Sequence, residues 1–159
     1  MSVALSASAQ RVQDALDAAG VTTRIVEYDV PARTSAEAAA VLGCTVGQIA
    51  KSLVFRSASG APILVIASGA HRVDESKIAS LAGEAIGKAD ASFVRNATGY
   101  AIGGIPPLAH ATRSRTFIDR NLLAFETVYA AGGTPHAMFP ITPAELVRVA
   151  GGSVADTAP

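Results

Sequence analysis

Five consecutive apolar residues, Ile63-Leu64-Val65-Ile66-Ala67, follow a mainly apolar segment at residues 49–55 across a turn at residues 57–60. A strand that is apolar at every position has no polar face to give to water, so the pattern predicts burial on both sides. The chain must therefore supply cover above and below a sheet. Candidate helices are present. Residues 8–19 place Val12, Ala15, Leu16 and Ala19 on one face and end at Gly20. Thr34 and Glu37 form a capping box ahead of residues 38–42, closed by Gly43. Residues 74–82 turn Ile78 and Leu81 inward, and residues 91–97 form a short helix. Thr142, Pro143 and Glu145 open a last helix.

Further strands are expected at residues 23–28, 115–118, 127–130 and 137–141, with a polar tail from Gly151 onward. Helices and strands alternate irregularly, with hairpin-like pairs among them. The fold class is therefore α+β: a single domain over residues 1–159 with its core in about 8–150. Its mixed, mostly antiparallel and partly barrel-like sheet is surrounded by helices. The length suits one domain with a substantial core. Thirteen basic and thirteen acidic side chains balance, which argues against gripping nucleic acid by bulk charge but leaves a local basic patch open. A lone Cys44 excludes an internal disulfide and a thiolate zinc site, and reads as a packed small side chain. The opening residues lack a charged segment before an apolar one, and no run approaches a membrane span of ~18 apolar residues. A cytoplasmic protein without membrane contact is expected.

Lys51 carries the sharpest chemical signal. In a strand it shares a face with Leu53 and Phe55, while Ala50, Ser52 and Val54 take the other. An ammonium there either lines a site or snorkels to water at a sheet edge. The segment Gly99-Tyr100-Ala101-Ile102-Gly103-Gly104-Ile105-Pro106-Pro107 is either an ordinary turn or a loop that approaches a ligand closely. It matches neither the phosphate-binding nor the dinucleotide fingerprint. A second Gly/Pro turn, residues 130–136, ends at His136, which either contacts a substrate or is solvated. His71 and His110 form no metal-ligand spacing. Asp119 precedes Asn121-Leu122, where capping is its default role. Arg113, Arg115 and Arg120 make a local cluster that meets either phosphate or solvent. No Ser-His-Asp arrangement is identifiable.

In order, Arg33-Thr34-Ser35-Ala36-Glu37-Ala38-Ala39, Gln48-Ile49-Ala50-Lys51-Ser52-Leu53-Val54-Phe55, Thr98-Gly99-Tyr100, Gly103-Gly104-Ile105-Pro106-Pro107 and Asp119 before Asn121-Leu122 resemble the YbaK/ProX family of freestanding aminoacyl-tRNA deacylases. That family is related to the editing insertion of bacterial prolyl-tRNA synthetases. The resemblance covers residues 8–150. It implies hydrolysis of a wrongly attached amino acid from tRNA, with Lys51 and Gly103 as catalytic-site residues. Ser52, Tyr100, Ile102, Gly104, Pro107, Asp119 and His136 would contact substrate. It implies no metal and no cofactor. The implied partner is the 3′ end of a mischarged tRNA, tRNA(Pro) carrying Cys, Ala or another small amino acid, with prolyl-tRNA synthetase as companion. Ser52 stands where the alanine-editing branch has Asn, which tilts the resemblance toward the YbaK-like or broader-specificity branches. Leu53, Val30 and Ile102 are candidate pocket walls. The contrasting reading, from the missing general base, is a non-catalytic module holding an aminoacyl end or a small metabolite in the same pocket.

Overall fold

The computed structural model describes residues 4–159; residues 1–3, on which part of the leader reading falls, lie outside the described residues. In chain order the elements are α1 (Ala7–Ala18), β1 (Val26–Glu27), α2 (Ser35–Leu42), a 3-10 turn (Val46–Gln48), β2 (Ile49–Ser57), β3 (Pro62–Ser68), α3 (Glu75–Ala82) and β4 (Ile86–Lys88). There follow α4 (Ala91–Thr98), β5 (Arg115–Asp119), a second 3-10 turn (Arg120–Ala124), β6 (Val128–Ala131), β7 (Ala137–Ile141), α5 (Pro143–Ala150) and β8 (Ser153–Ala155). The helix starts expected at Thr34 and Thr142 are found, and two more helices begin at capping aspartates. Thr34, Asp74, Asp90 and Thr142 each accept a hydrogen bond from a main-chain N–H in the first turn of the helix they precede.

One mixed sheet runs β1-β7-β6-β2-β3-β5-β8, with β4 added beside β2. The β2–β3, β2–β4, β6–β7 and β1–β7 pairings are antiparallel, whereas β2–β6, β3–β5 and β5–β8 are parallel. The sheet stays open from β1 to β8. Strand β3 is covered on both faces, as its continuous hydrophobicity requires. Leu64 and Ile66 join Ala50 and Ile118 beneath α1, α4 and α5, through Val12, Leu16, Val94 and Leu146. Ile63, Val65 and Ala67 pack with Phe55, Phe117 and Ile78 of α3 on the opposite face. A third cluster joins Ala38 and Ala39 of α2 to Ile49 and Met138.

Three short strands depart from the sequence reading. The segment at 23–28 contributes only Val26 and Glu27 to the sheet, because Gln13 of α1 takes over its start, donating to Thr23 O and accepting from Ile25 N. Strand β4 is absent from the sequence reading. It is three residues long and lies against the end of β2. The segment after Gly151 is not a polar tail: β8 pairs with β5, and Thr157 and Ala158 are buried. Lys77 binds both Asp156 Oδ2 and Ala158 O, and Asp74 N–H donates to Thr157 O, so the segment is fastened to the start of α3. No helix among the described residues is long and apolar enough to cross a membrane.

Residues 99–110 are held from beneath. The Tyr100 ring is 1 % exposed, its hydroxyl donates to Ala109 O, and the Arg11 guanidinium lies 5.3 Å from its centroid. His110 Nε2 lies 2.6 Å from Pro106 O, so this nitrogen carries the proton and donates. Burial is the dominant influence on His110 and holds its imidazole below the usual range, outweighing the carbonyl contact, which favours the charged form.

Two outcomes follow from this packing. Ile66→Ala, at a wholly buried position of β3, is expected to lower unfolding free energy by about 2–5 kcal/mol in urea titrations. A loss under 1 kcal/mol would contradict the two-sided core. For His110 the folded form is the neutral one. Its contribution is fully present above an unfolded pKa of about 6.5 and is lost as pH falls toward the lower folded value. The urea midpoint should therefore drop with acidification below about pH 6.5, and that drop should shrink in His110→Gln.

Candidate active site

The alternation of main-chain hydrogen bonds along β2 decides where a site can form. Gly69 N–H donates to Ile49 O, and at the other end Ser57 N–H donates to Ala61 O. With Ala50 opposite Ser68 and Phe55 opposite Ile63, odd-numbered residues of β2 bond to β3 and even-numbered ones point away from it. On that far side, β6 pairs beside Ile49 and Ala50, and β4 pairs beside Phe55, Arg56 and Ser57. Between these two neighbours β2 has an open edge. A cavity of about 350 Å³ occupies the notch, and Ile49, Ala50, Lys51, Ser52 and Leu53 all line it. Because the cavity meets the strand edge-on, residues of both parities reach it.

The remaining walls come from three segments brought together by close packing. Gly103 has φ +93°, a backbone region that side chains other than glycine rarely adopt. Gly104 is required for a different reason: a Cβ there would stand 2.6 Å from the main chain of Thr134. The two Gly/Pro segments thus seat on each other, with Ile102, Gly103 and Ile105 facing the cavity. Opposite them, the chain after β1 is stitched to the second turn: Tyr28 N–H donates to His136 O, and Ala32 N–H donates to Pro135 O, each at 2.8 Å. The His136 ring adds a contact at 3.0 Å between Nδ1 and Tyr28 O. This stitching delivers Ala32, Arg33, Thr34, Ser35 and Ala38, and the strands behind add Ala131 and Met138.

Lys51 is half-buried. The ion pairs among the described residues are Arg24–Asp17, Lys77–Asp156 and Arg120–Asp156, and none involves Lys51 or Arg33. Among the described residues that line the cavity there is no carboxylate and no imidazole. Two cationic residues, Lys51 and Arg33, thus line the hollow, and among the described residues no acidic one does, while Ala38, Ile49, Ala131 and Met138 provide apolar wall. Such a site suits a ligand with an anionic or strongly polar portion beside a small apolar one.

The structure gathers Lys51, Ser52, Ile102 and Gly103 at one cavity, together with Leu53 from the candidate walls; Val30 does not line it. Gly104 supports the wall from behind through Thr134, and His136 holds the facing segment. Tyr100 is a core residue under the loop. Pro107 lines a separate hollow with His110 and Arg113. Asp119 is fully buried and bonded to the N–H groups of Ser68 and Asn121 and to the Asn121 amide, so it ties β3 to β5 and caps the following turn. Arg115 donates to the carbonyls of Leu81 and Ala82. Arg33, Thr34 and Ser35 are not among the site residues to which the sequence points. The capping box marks where α2 begins, but only the long-range bonds from residues 28–32 to 135–136 bring that helix start to the cavity. Cys44 lies outside the lining, and burial pushes its thiol up.

A family model for the aminoacyl-tRNA editing domain matches residues 29–149. An uncharacterized protein of Bacillus subtilis (strain 168), YwhH, is 31% identical over 122 residues, covering 77% of this chain and 78% of that protein. A solved structure described as a candidate trans-editing enzyme for prolyl-tRNA synthetase superposes with a TM-score of 0.93 and 44% identity, covering 98% of this chain and 99% of its own. A scaffold protein from work on grafting linear epitopes is similar as well, with a TM-score of 0.92, 42% identity and coverage of 98% and 99%.

Proposed function

Since the chain belongs to the aminoacyl-tRNA editing domain family, we propose that it hydrolyses the ester joining a wrongly attached amino acid to the 3′ end of a tRNA, with Lys51 and the Gly103 loop forming the site. The observation that carries this reading is the sharing of one cavity by Gly103 and a half-buried Lys51 that takes part in none of the ion pairs among the described residues.

The chemistry follows from what the walls contain. Attack on an ester carbonyl places negative charge on its oxygen, and the Lys51 ammonium at the strand edge is a fixed positive group for that charge. Arg33 at the mouth offers a second cation, suited to a phosphate of the terminal nucleotides. Ile102, 58 % exposed, presents an apolar rim to the adenosine. Water supplies the nucleophile. Its oxygen bonds to the carbonyl carbon, the ester C–O bond breaks, and the departing ribose oxygen takes a proton. Among the described residues no carboxylate or imidazole lines the cavity, so water attack depends on positioning and on the neighbouring ribose hydroxyl rather than on a protein base. Ser52 contacts the aminoacyl group, while Gly104 and His136 act by positioning. Tyr100, Pro107 and Asp119 contribute by holding the loop and the strands in place.

The preferred substrate is tRNA(Pro) carrying Cys, Ala or another small amino acid. The small apolar wall of Ala38, Ala131, Ile49 and Met138 supports that class. One methylene shifts discrimination by only about 1–3 kcal/mol, so a range of small residues should be accepted. With a net charge of zero, the chain lacks a strong general pull on nucleic acid, which favours working beside a prolyl-tRNA synthetase in the cytoplasm. The non-catalytic alternative is favoured by one observation, the lack of a carboxylate or imidazole among the described residues of the lining.

Deacylation of tRNA(Pro) charged with Ala, Cys, Ser, Thr or 2-aminobutyrate separates these readings. The parent protein should release at least one of the small residues well above the buffer rate. Lys51→Ala should lower that release by roughly 100-fold or more while leaving the urea midpoint unchanged. Equal release by variant and parent removes Lys51 from the mechanism. Saturable binding without ester loss would establish the non-catalytic module.

A further inference from the structure

Resting on the editing reading, we infer that the main chain of Ser52 recognises the α-aminoacyl group as though it were one residue of an added β-strand. Even-numbered residues of β2 direct their N–H and C=O away from β3. Ala50 is matched by Ala130 of β6 and Arg56 by Gly87 of β4. Ser52 lies beyond the last rung of both ladders, at the edge that lines the cavity. Its hydroxyl is sealed from solvent and has no hydrogen-bond partner among the described residues. The part of Ser52 open to the cavity is therefore its backbone, with a donor and an acceptor directed to the same side.

An aminoacyl ester has the same N–Cα–C=O spacing as a residue in a polypeptide. In the hydrogen-bonded type of antiparallel pair, two such units exchange both their bonds. The α-ammonium of the ligand donates to Ser52 O, and its ester carbonyl accepts from Ser52 N–H. This is strand addition reduced to one residue, and main-chain bonds of this kind are indifferent to the side chain. The pairing places the ester carbonyl beside the residue that follows Lys51, so a fixed N–H and the ammonium converge on the oxygen that becomes charged. It also sets a class requirement that a hydrophobic wall cannot: the ligand must carry an unmodified α-amino group.

Two stable amide analogues differing only at that group provide the test: 3′-(L-alanylamino)-3′-deoxyadenosine and 3′-propionylamino-3′-deoxyadenosine, each titrated calorimetrically into the intact chain. The propionyl compound should bind at least about tenfold more weakly, the size expected for loss of a charge-assisted hydrogen bond. Ser52→Ala, which leaves the backbone in place, should keep that ratio. The Ser52 amide should gain hydrogen-exchange protection when the alanyl compound binds. Equal affinities on the parent protein, collapse of the ratio in Ser52→Ala, or an unchanged Ser52 amide each overturn the inference and leave the editing reading standing. Failure of both analogues to bind overturns both.

Discussion

The interruption of strand pairing along β2 is the constraint on which the rest of the molecule turns. A central strand normally spends its main-chain groups on two neighbours, because an unpaired buried amide costs free energy comparable to a lost hydrogen bond. Here the far side of β2 is shared by two short partners, β6 at its start and β4 at its end, running in opposite senses relative to it. A parallel neighbour and an antiparallel one cannot merge into a single strand, so a gap between them is built into the topology. The gap is kept from collapsing by the long antiparallel pairing with β3 on the other side, whose core residues are buried on both faces. Rigidity on one edge permits openness on the other.

The wall facing that gap is seated by close approach of backbones. Gly104 lets the loop backbone lie directly on Thr134, and Gly133 lets the second turn lie against Ser8 at the start of α1, where a Cβ would stand 2.8 Å from a carbonyl oxygen. Each contact removes a side chain so that two backbones can meet. The buried Tyr100 and the Pro106–His110 contact then fix the far end of the loop. The loop is thus a supported wall held at both ends, which is what orientation of a reacting group requires.

How much of this was legible depends on the range of the interactions that specify it. The helix starts were readable because a cap is a contact between residues two or three apart, as at Thr34 and Glu37. The double burial of β3 was readable because it needs a side chain type at every position. By contrast β8 exists only because β5 offers an edge and Lys77 captures Asp156 and Ala158, partners that are about eighty residues away in the chain. Strand parity assigned Ser52 to the face opposite Lys51, and that assignment holds for the side chains. What parity alone omits is that a cavity can approach a strand along its edge, where backbone rather than side-chain direction decides contact. Recognition of Asp119 as a structural carboxylate likewise needed the partner at Ser68, across a neighbouring strand.

The electrostatic balance of the notch completes the argument. Elsewhere ion pairs join Asp156 to Lys77 and Arg120, and Asp17 to Arg24. At the notch Lys51 and Arg33 line the cavity, and among the described residues no acidic one joins them. A half-buried ammonium without a counter-charge is a fixed field whose natural complement is negative charge arriving with the ligand or developing during reaction. Adding a carboxylate to the wall would neutralise Lys51 in the resting protein and weaken that field, so the missing protein base and the unpaired lysine are two sides of one arrangement. On the editing reading, such a site trades proton abstraction by the protein for stabilisation of charge on the substrate, a balance suited to an ester that already carries a neighbouring hydroxyl.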